Sequence, residues 1–168
     1  KVETSVDLWE ALEKGFILPL DDSYKFVEDI EEINPHYKIV HDRVQQAAYS
    51  LILDDEKKAV HLQIARLLLK DYTKAEVEDR ILDIINHLNL AKDLIVEVNE
   101  RFDLAYYNFL AGKKSRTSAA YSLSFNYLHE AINLLPQNCW DTNYNLSIEL
   151  YTLATEIACV TGEFSLLK

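Results

Sequence analysis

The sequence predicts a mainly α-helical chain with a small β element near its N-terminus. Three observations carry that prediction. Glycine and proline number three each in 168 residues, while Leu, Ile, Ala, Glu and Tyr are plentiful, a composition that favours helix over strand and turn. From Asp42 onward the apolar residues recur at spacings of three and four, which places them on one helix face. Thr73-Lys-Ala-Glu76 has the pattern in which a hydroxyl and a carboxylate each satisfy a free backbone N–H, so a helix begins there.

Taken in order, Leu8, Trp9 and Leu12, with Val6 as an optional member, form a short helical face that ends at Gly15, because glycine enters the left-handed conformation at no steric cost. Phe16–Leu20 and Tyr37–Val40 are short apolar runs, read as two strands joined by an acidic stretch containing the breaker pair Asn34-Pro35. Val44, Ala47, Ala48, Leu51 and Ile52 form the next helical stripe. Leu62, Ala65, Leu68 and Leu69 form another, opened by Asp54 or Asp55 as N-cap. After the capping box, Val77, Ile81, Ile84, Ile85 and Leu88 predict a single helix. Phe102, Ala105, Tyr106, Phe109 and Leu110 mark the following one. Ala120, Ser124, Tyr127, Leu128, Ala131, Leu134 and Leu135 mark its neighbour, stopped by Pro136. A last long helix carries Leu146, Leu150, Leu153, Ala154 and Ile157, capped by Asp141 or Thr142 and broken at Gly162.

Composition narrows the function classes. With 49% hydrophobic residues the chain can bury one core, or one small domain leaning on a second. No apolar run reaches transmembrane length and no basic segment precedes a short apolar one, so the expected location is cytoplasmic, without a membrane partner. Cys139 and Cys159 stand far apart with no CxxC spacing; both are expected to be small buried hydrophobes, a disulfide is left open, and no zinc site is expected. A formal charge of −11 repels phosphate backbones, which argues against a nucleic-acid partner. Residues 1–32 carry ten acids against three lysines, a solvated surface in preference to a docking face for a basic partner. No Gly/Ser-rich or Pro-rich linker appears, so any internal boundary is a tight, packed joint.

Helix pairs with small residues prompt a test for repeats. Gly112, Tyr121, Ala131 and Pro136 fall at offsets resembling those of a tetratricopeptide repeat. Here Gly and Ala let two helices approach, Tyr121 is expected to plug the groove, and Pro136 ends the second helix. Gly162-Glu163-Phe164 resembles the turn into a further helix, although the helix before it is too long for that repeat.

A wider resemblance rests on longer strings. Leu8-Trp-Glu-Ala-Leu-Glu-Lys-Gly15, Ile17-Leu-Pro-Leu20, His41-Asp-Arg-Val-Gln-Gln-Ala-Ala-Tyr-Ser-Leu-Ile52, His61-Leu-Gln-Ile-Ala-Arg-Leu-Leu-Leu69 and Leu134-Leu-Pro-Gln-Asn-Cys-Trp140 are similar to the middle of the large bacterial, cyanobacterial-type sensor kinases. In those chains a Ser/Thr protein kinase-like domain, an AAA-type ATPase, a helical repeat region, a GAF sensor and a histidine kinase follow one another. The resemblance implies a winged-helix-like end of the ATPase module over residues 1–53 and a tetratricopeptide-like helical solenoid over residues 54–168. Its most specific positions are His41, Asp42, Arg43, Gln45, Gln46 and Tyr49. The segment Val27–His36 is longer and more acidic than the compact loop that the family implies, and reads as a surface insertion.

No catalytic loop is expected in this stretch. Three scattered glycines cannot form a kinase Gly-rich loop or a Walker A loop. Gly112-Lys-Lys-Ser115 mimics the tail of a P-loop, but Tyr107 stands where the first glycine belongs and the string ends a predicted helix. His41-Asp42-Arg43 inverts the kinase His-Arg-Asp order; an Asp42–Arg43 pair across the strand–helix joint is expected, with nucleotide sensing by Arg43 as the alternative. His41 and His129 lack the context of phospho-accepting histidines, and His61 and His87 are expected to be capping or partly buried. Among Tyr106, Tyr107, Tyr121, Tyr127, Tyr144 and Tyr151, some are expected to line a concave binding face.

These expectations combine into a non-catalytic connector. The chain would couple an ATPase module to downstream sensor and histidine kinase domains in a two-component signalling protein, by packing against other domains of the same polypeptide. No cofactor is expected here, ATP and magnesium belonging elsewhere in the parent. The alternatives are a free-standing tetratricopeptide-like adaptor that grips a peptide and, further off, a DNA-binding transcriptional regulator, against which the acidic front counts.

Overall fold

A computed structural model describes residues 2–21 and 36–164. The described residues are mainly helical, with one small sheet. In chain order they form α1 (Val2–Glu13), β1 (Ile17–Pro19), β2 (Tyr37–Ile39), α2 (Asp42–Leu51), α3 (Asp54–Asp71), α4 (Lys74–Asp79), α5 (Ile81–Leu90), a 3-10 turn (Lys92–Leu94), α6 (Val98–Thr117), α7 (Tyr121–Leu134), α8 (Cys139–Thr142) and α9 (Tyr144–Thr161). They divide into two compact units, Lys1–Asp54 and Asp55–Lys168.

In the first unit, Gly15 takes the left-handed conformation that ends α1, with φ 69°. The N–H groups of Gly15 and Phe16 donate back to Leu12 and Ala11 at 3.0 and 2.9 Å, which satisfies two of the helix's terminal carbonyls. The chain then enters β1, which pairs antiparallel with β2, Ile17 opposite Ile39, Leu18 opposite Lys38 and Pro19 opposite Tyr37. Strand alternation buries Ile17 and leaves Phe16, Leu18 and Leu20 exposed. The acidic stretch with Asn34-Pro35 lies outside the described residues. Helix α2 departs from expectation: its stripe forms, but none of its residues is buried and Leu51 is 83% exposed. Periodicity identifies the side that needs covering and says nothing of whether this chain supplies the cover.

In the second unit, α3 begins at Asp54, so Asp54 and Asp55 lie inside its first turn and neither precedes the helix as its cap. Its Leu62 and Ala65 are buried, with Leu68 and Leu69 packed beside them. The Thr73 capping box is present: the Thr73 N–H donates to the Glu76 carboxylate at 2.8 Å, and the Glu76 N–H donates to Thr73 Oγ1 at 3.4 Å. The helix it opens is shorter than expected. Arg80, at φ −101° and ψ 17°, separates α4 from α5, while Val77, Ile81, Ile84, Ile85 and Leu88 all remain buried. A change confined to one residue's dihedrals leaves the apolar spacing intact, so periodicity cannot register it. The Arg80 guanidinium lies 5.2 Å from the ring centre of Tyr72 and donates to its hydroxyl at 3.0 Å.

Helices α6 and α7 form the close-packed hairpin at the centre of this unit. A Cβ on Gly112 would stand 2.7 Å from Cγ and Cδ2 of Leu128, so only glycine permits this approach. The Ser124 hydroxyl donates to the Gly112 carbonyl at 2.8 Å across the same crossing. Ala119, at φ 57°, makes the turn between them. Leu135 is extended before Pro136, which ends α7. Asp141 and Thr142 do not cap α9. They lie inside the separate short helix α8, and Asn143 is the residue before α9. Gly162, at φ 76°, terminates α9.

Two apolar clusters result. One joins α3, α4, α5 and α6 with Tyr127 and Leu134 of α7; the other joins Phe109 of α6, Leu128 and Ala131 of α7 and four residues of α9. Both cysteines are free. Cys139 is buried as expected, whereas Cys159 is exposed, because it follows the buried Ile157 and Ala158 onto the opposite side of α9.

Candidate functional site

His41 is the extended residue before α2 and caps nothing with its ring. Its carbonyl accepts from the N–H groups of Val44 and Gln45 at 2.9 and 3.3 Å. Asp42, Gln45, Gln46 and Tyr49 then fall on one helix face and line a shallow hollow of about 370 Å3, as spacings of three, four and seven require. Arg43 projects about 100° away from Asp42, and the expected ion pair between them is absent from the described residues.

The repeat positions disperse. Gly112 and Ala131 are buried at the helix crossings and Pro136 closes α7. Tyr121 does not plug the groove. It is the exposed first residue of α7, and the aromatic packed into the first core is Tyr127, whose hydroxyl donates to Asn86 Oδ1 at 3.0 Å. Burial holds the Tyr127 phenol above its ordinary pKa. Tyr144 is exposed, while Tyr151 is half-buried with its ring 5.1 Å from that of Trp140.

Gly112-Lys-Lys-Ser115 lies wholly inside α6, so its backbone N–H groups serve the helix and cannot cradle phosphate. The Lys114 ammonium donates to the backbone carbonyls of Glu78 and Asp79. Among the described residues, the buried Ser115 hydroxyl has no partner. The His129 ring stacks near that of Phe125 at 6.1 Å.

Sequence reasoning missed three polar devices because each joins different helices. The Nδ1 atoms of His61 (α3) and His87 (α5) lie 2.7 Å apart. Burial, then the neighbouring His61, holds His87 below its ordinary pKa, with Asp83 opposing. Asn89 and the buried Asn108 exchange two hydrogen bonds at 2.9 and 3.0 Å. A third group of contacts clasps elements distant in sequence: Lys58 with Asp93, Arg66 with Glu100, Lys92 with Glu130, Lys114 with Asp79 and Arg116 with Glu156. Donating to the Glu100 carboxylate holds the Arg66 pKa up, and the hydrogen bond that Lys58 donates holds the Asp93 carboxyl below its usual range. The partners in these clasps, like Tyr127 and Asn86, stand 34 to 41 positions apart.

Two further hollows occur in the second unit. One, of about 280 Å3, lies between α6 and α9 and is lined by Phe109, Lys113, Ile148, Glu149 and Leu153 among others. The other, of about 310 Å3, lies beside α3, α4 and α6. Among the described residues, no three or more His, Cys, Asp or Glu are placed to hold a metal ion, and no helix is long and apolar enough to cross a membrane.

Among curated proteins, this sequence has a relative. The chain is 33% identical over 159 aligned positions to Hybrid signal transduction histidine kinase G of Dictyostelium discoideum, a match that covers 80% of this chain. The chain is related to a signal-transduction kinase. It spans 5% of that relative's length. No protein-family model matches the chain, and no solved structure matches it.

Proposed function

We propose that this chain is a non-catalytic connector within a cytoplasmic, multi-domain signal-transduction kinase. In this reading residues 1–53 form the winged-helix-like end of an ATPase module, and residues 54–168 form a tetratricopeptide-like arm. The arm passes the module's nucleotide state by packing to sensor and histidine kinase domains. The similarity to a histidine kinase that is many times longer carries the reading. Support comes from polar clasps that recur at 34 to 41 positions, close to the roughly 34-residue period of such repeats. The exposed apolar residues of the first unit, Phe16, Leu18, Leu20 and Leu51, suit contact with a further domain.

The test places Gly112→Val in the full-length parent and measures ATP hydrolysis and histidine autophosphorylation separately. Hydrolysis is expected to persist while its control over autophosphorylation is lost. Unchanged control, or saturable MgATP hydrolysis by the 168-residue chain alone, overturns the connector.

A peptide-binding adaptor is the second reading, favoured by the hollow between α6 and α9, where Lys113 and Glu149 flank an apolar floor. Translating the source gene on both flanks separates the two readings: ATPase and kinase motifs support the connector, and their absence supports the adaptor.

A further inference from the structure

The hollow beside α3, α4 and α6 has a chemistry that the connector reading does not use. It is lined by Tyr72, Tyr106 and Tyr107 over an apolar wall, with Glu78 and Asp103 as its carboxylates and Lys74 as its one cation. Its lining side chains carry two acids and one base, and neither Glu78 nor Asp103 has an ion pair among the described residues. Asp103 precedes Tyr106 and Tyr107 by three and four positions on α6 and lines the same hollow, and burial, followed by the Asp103 carboxylate and Tyr106, holds the Tyr107 phenol above its ordinary pKa. Electron-rich ring faces next to a carboxylate attract an ammonium or guanidinium group, while the same carboxylates repel an anion. The chain already shows this preference once, where the Arg80 guanidinium lies 5.2 Å from the Tyr72 ring centre.

We propose that this hollow receives a lysine or arginine side chain from a basic segment of a partner protein. The apolar wall holds the methylene stem, a tyrosine face and Asp103 hold the charged head, and the chain's net charge of −11 draws the basic segment in. The proposal goes beyond the connector reading and requires only that the second unit be folded. Its failure therefore leaves the ATP-coupling test untouched, and the reverse also holds.

The experiment titrates the 168-residue chain with an acetylated, amidated hexalysine peptide and, separately, with hexaglutamate, by calorimetry. Hexalysine is expected to saturate one site. Asp103→Asn and Tyr106→Leu, each at an exposed position, should weaken it about tenfold. Glu163→Gln removes the same charge just past the end of α9 and should change affinity by about twofold or less. Equal losses in all three variants would reveal diffuse attraction to an acidic chain and overturn the proposal. So would the absence of saturable hexalysine binding, or preferential binding of hexaglutamate.

Discussion

The Nδ1 atoms of His61 and His87 face one another at 2.7 Å, with the two rings tilted by 45°. One nitrogen must donate and the other accept, so the contact cannot survive protonation of both rings. Because burial and His61 depress His87 in the folded state, the unfolded chain binds more protons once the pH falls to about 6.5, and folding weakens as acid is added. Urea midpoints should therefore fall between about pH 7.5 and about pH 5.5. His87→Gln should flatten that slope; an equally steep slope in the variant would assign it elsewhere.

At the crossing of α6 and α7, Gly112→Ala sets a methyl group against Leu128 at 2.7 Å, and Leu128 is fully buried. Overpacking costs about 1–3 kcal/mol, against about 1 kcal/mol gained in helix propensity. A net loss of roughly 1 kcal/mol is expected in denaturant melts. Adding Leu128→Ala makes room for the methyl, so the double variant should be less unstable than the sum of the singles. Strict additivity would mean that the helices separate by another route.

The reciprocal Asn89–Asn108 bonds satisfy a side chain that is fully buried, with a further bond from Asn108 Nδ2 to the Leu104 carbonyl. Asn89→Ala strands one face of that amide and should cost about 1–3 kcal/mol. Replacing both residues with leucine should recover much of this loss, which thermal melts of the three variants would resolve.

Ser115 poses the opposite case, a buried hydroxyl inside a helix with no partner among the described residues. Ser115→Ala removes the unmet polar group and improves helix propensity, so stability should rise by about 1 kcal/mol. A destabilised variant would point to a buried water held there.

Much of the helical scaffold was legible because its signals are local. The capping box at Thr73, the glycine endings at Gly15 and Gly162 and the stop at Pro136 each depend on a few adjacent residues. The break at Arg80 and the separate helix α8 were not legible, since each turns on backbone dihedrals that leave the apolar spacing unchanged. The face of α2 bearing Asp42, Gln45, Gln46 and Tyr49 follows from spacing alone. The tyrosine hollow was half visible: Tyr106 and Tyr107 stood out as recognition aromatics, and Asp103 precedes them by three and four positions, one helical turn. Glu78 arrives from α4 and Tyr72 from the bend after α3, which no local pattern reports.

The clasps that join residues 34 to 41 positions apart have a mechanical consequence. Among the described residues none of them ties α3 directly to α7 or α9. A displacement imposed on α3 is therefore relayed through the Lys92–Leu94 turn and α6 before α7 and α9 respond. Such an arm behaves as springs connected in series, in which the compliances of successive links add and the softest link governs how much of a push reaches the far end.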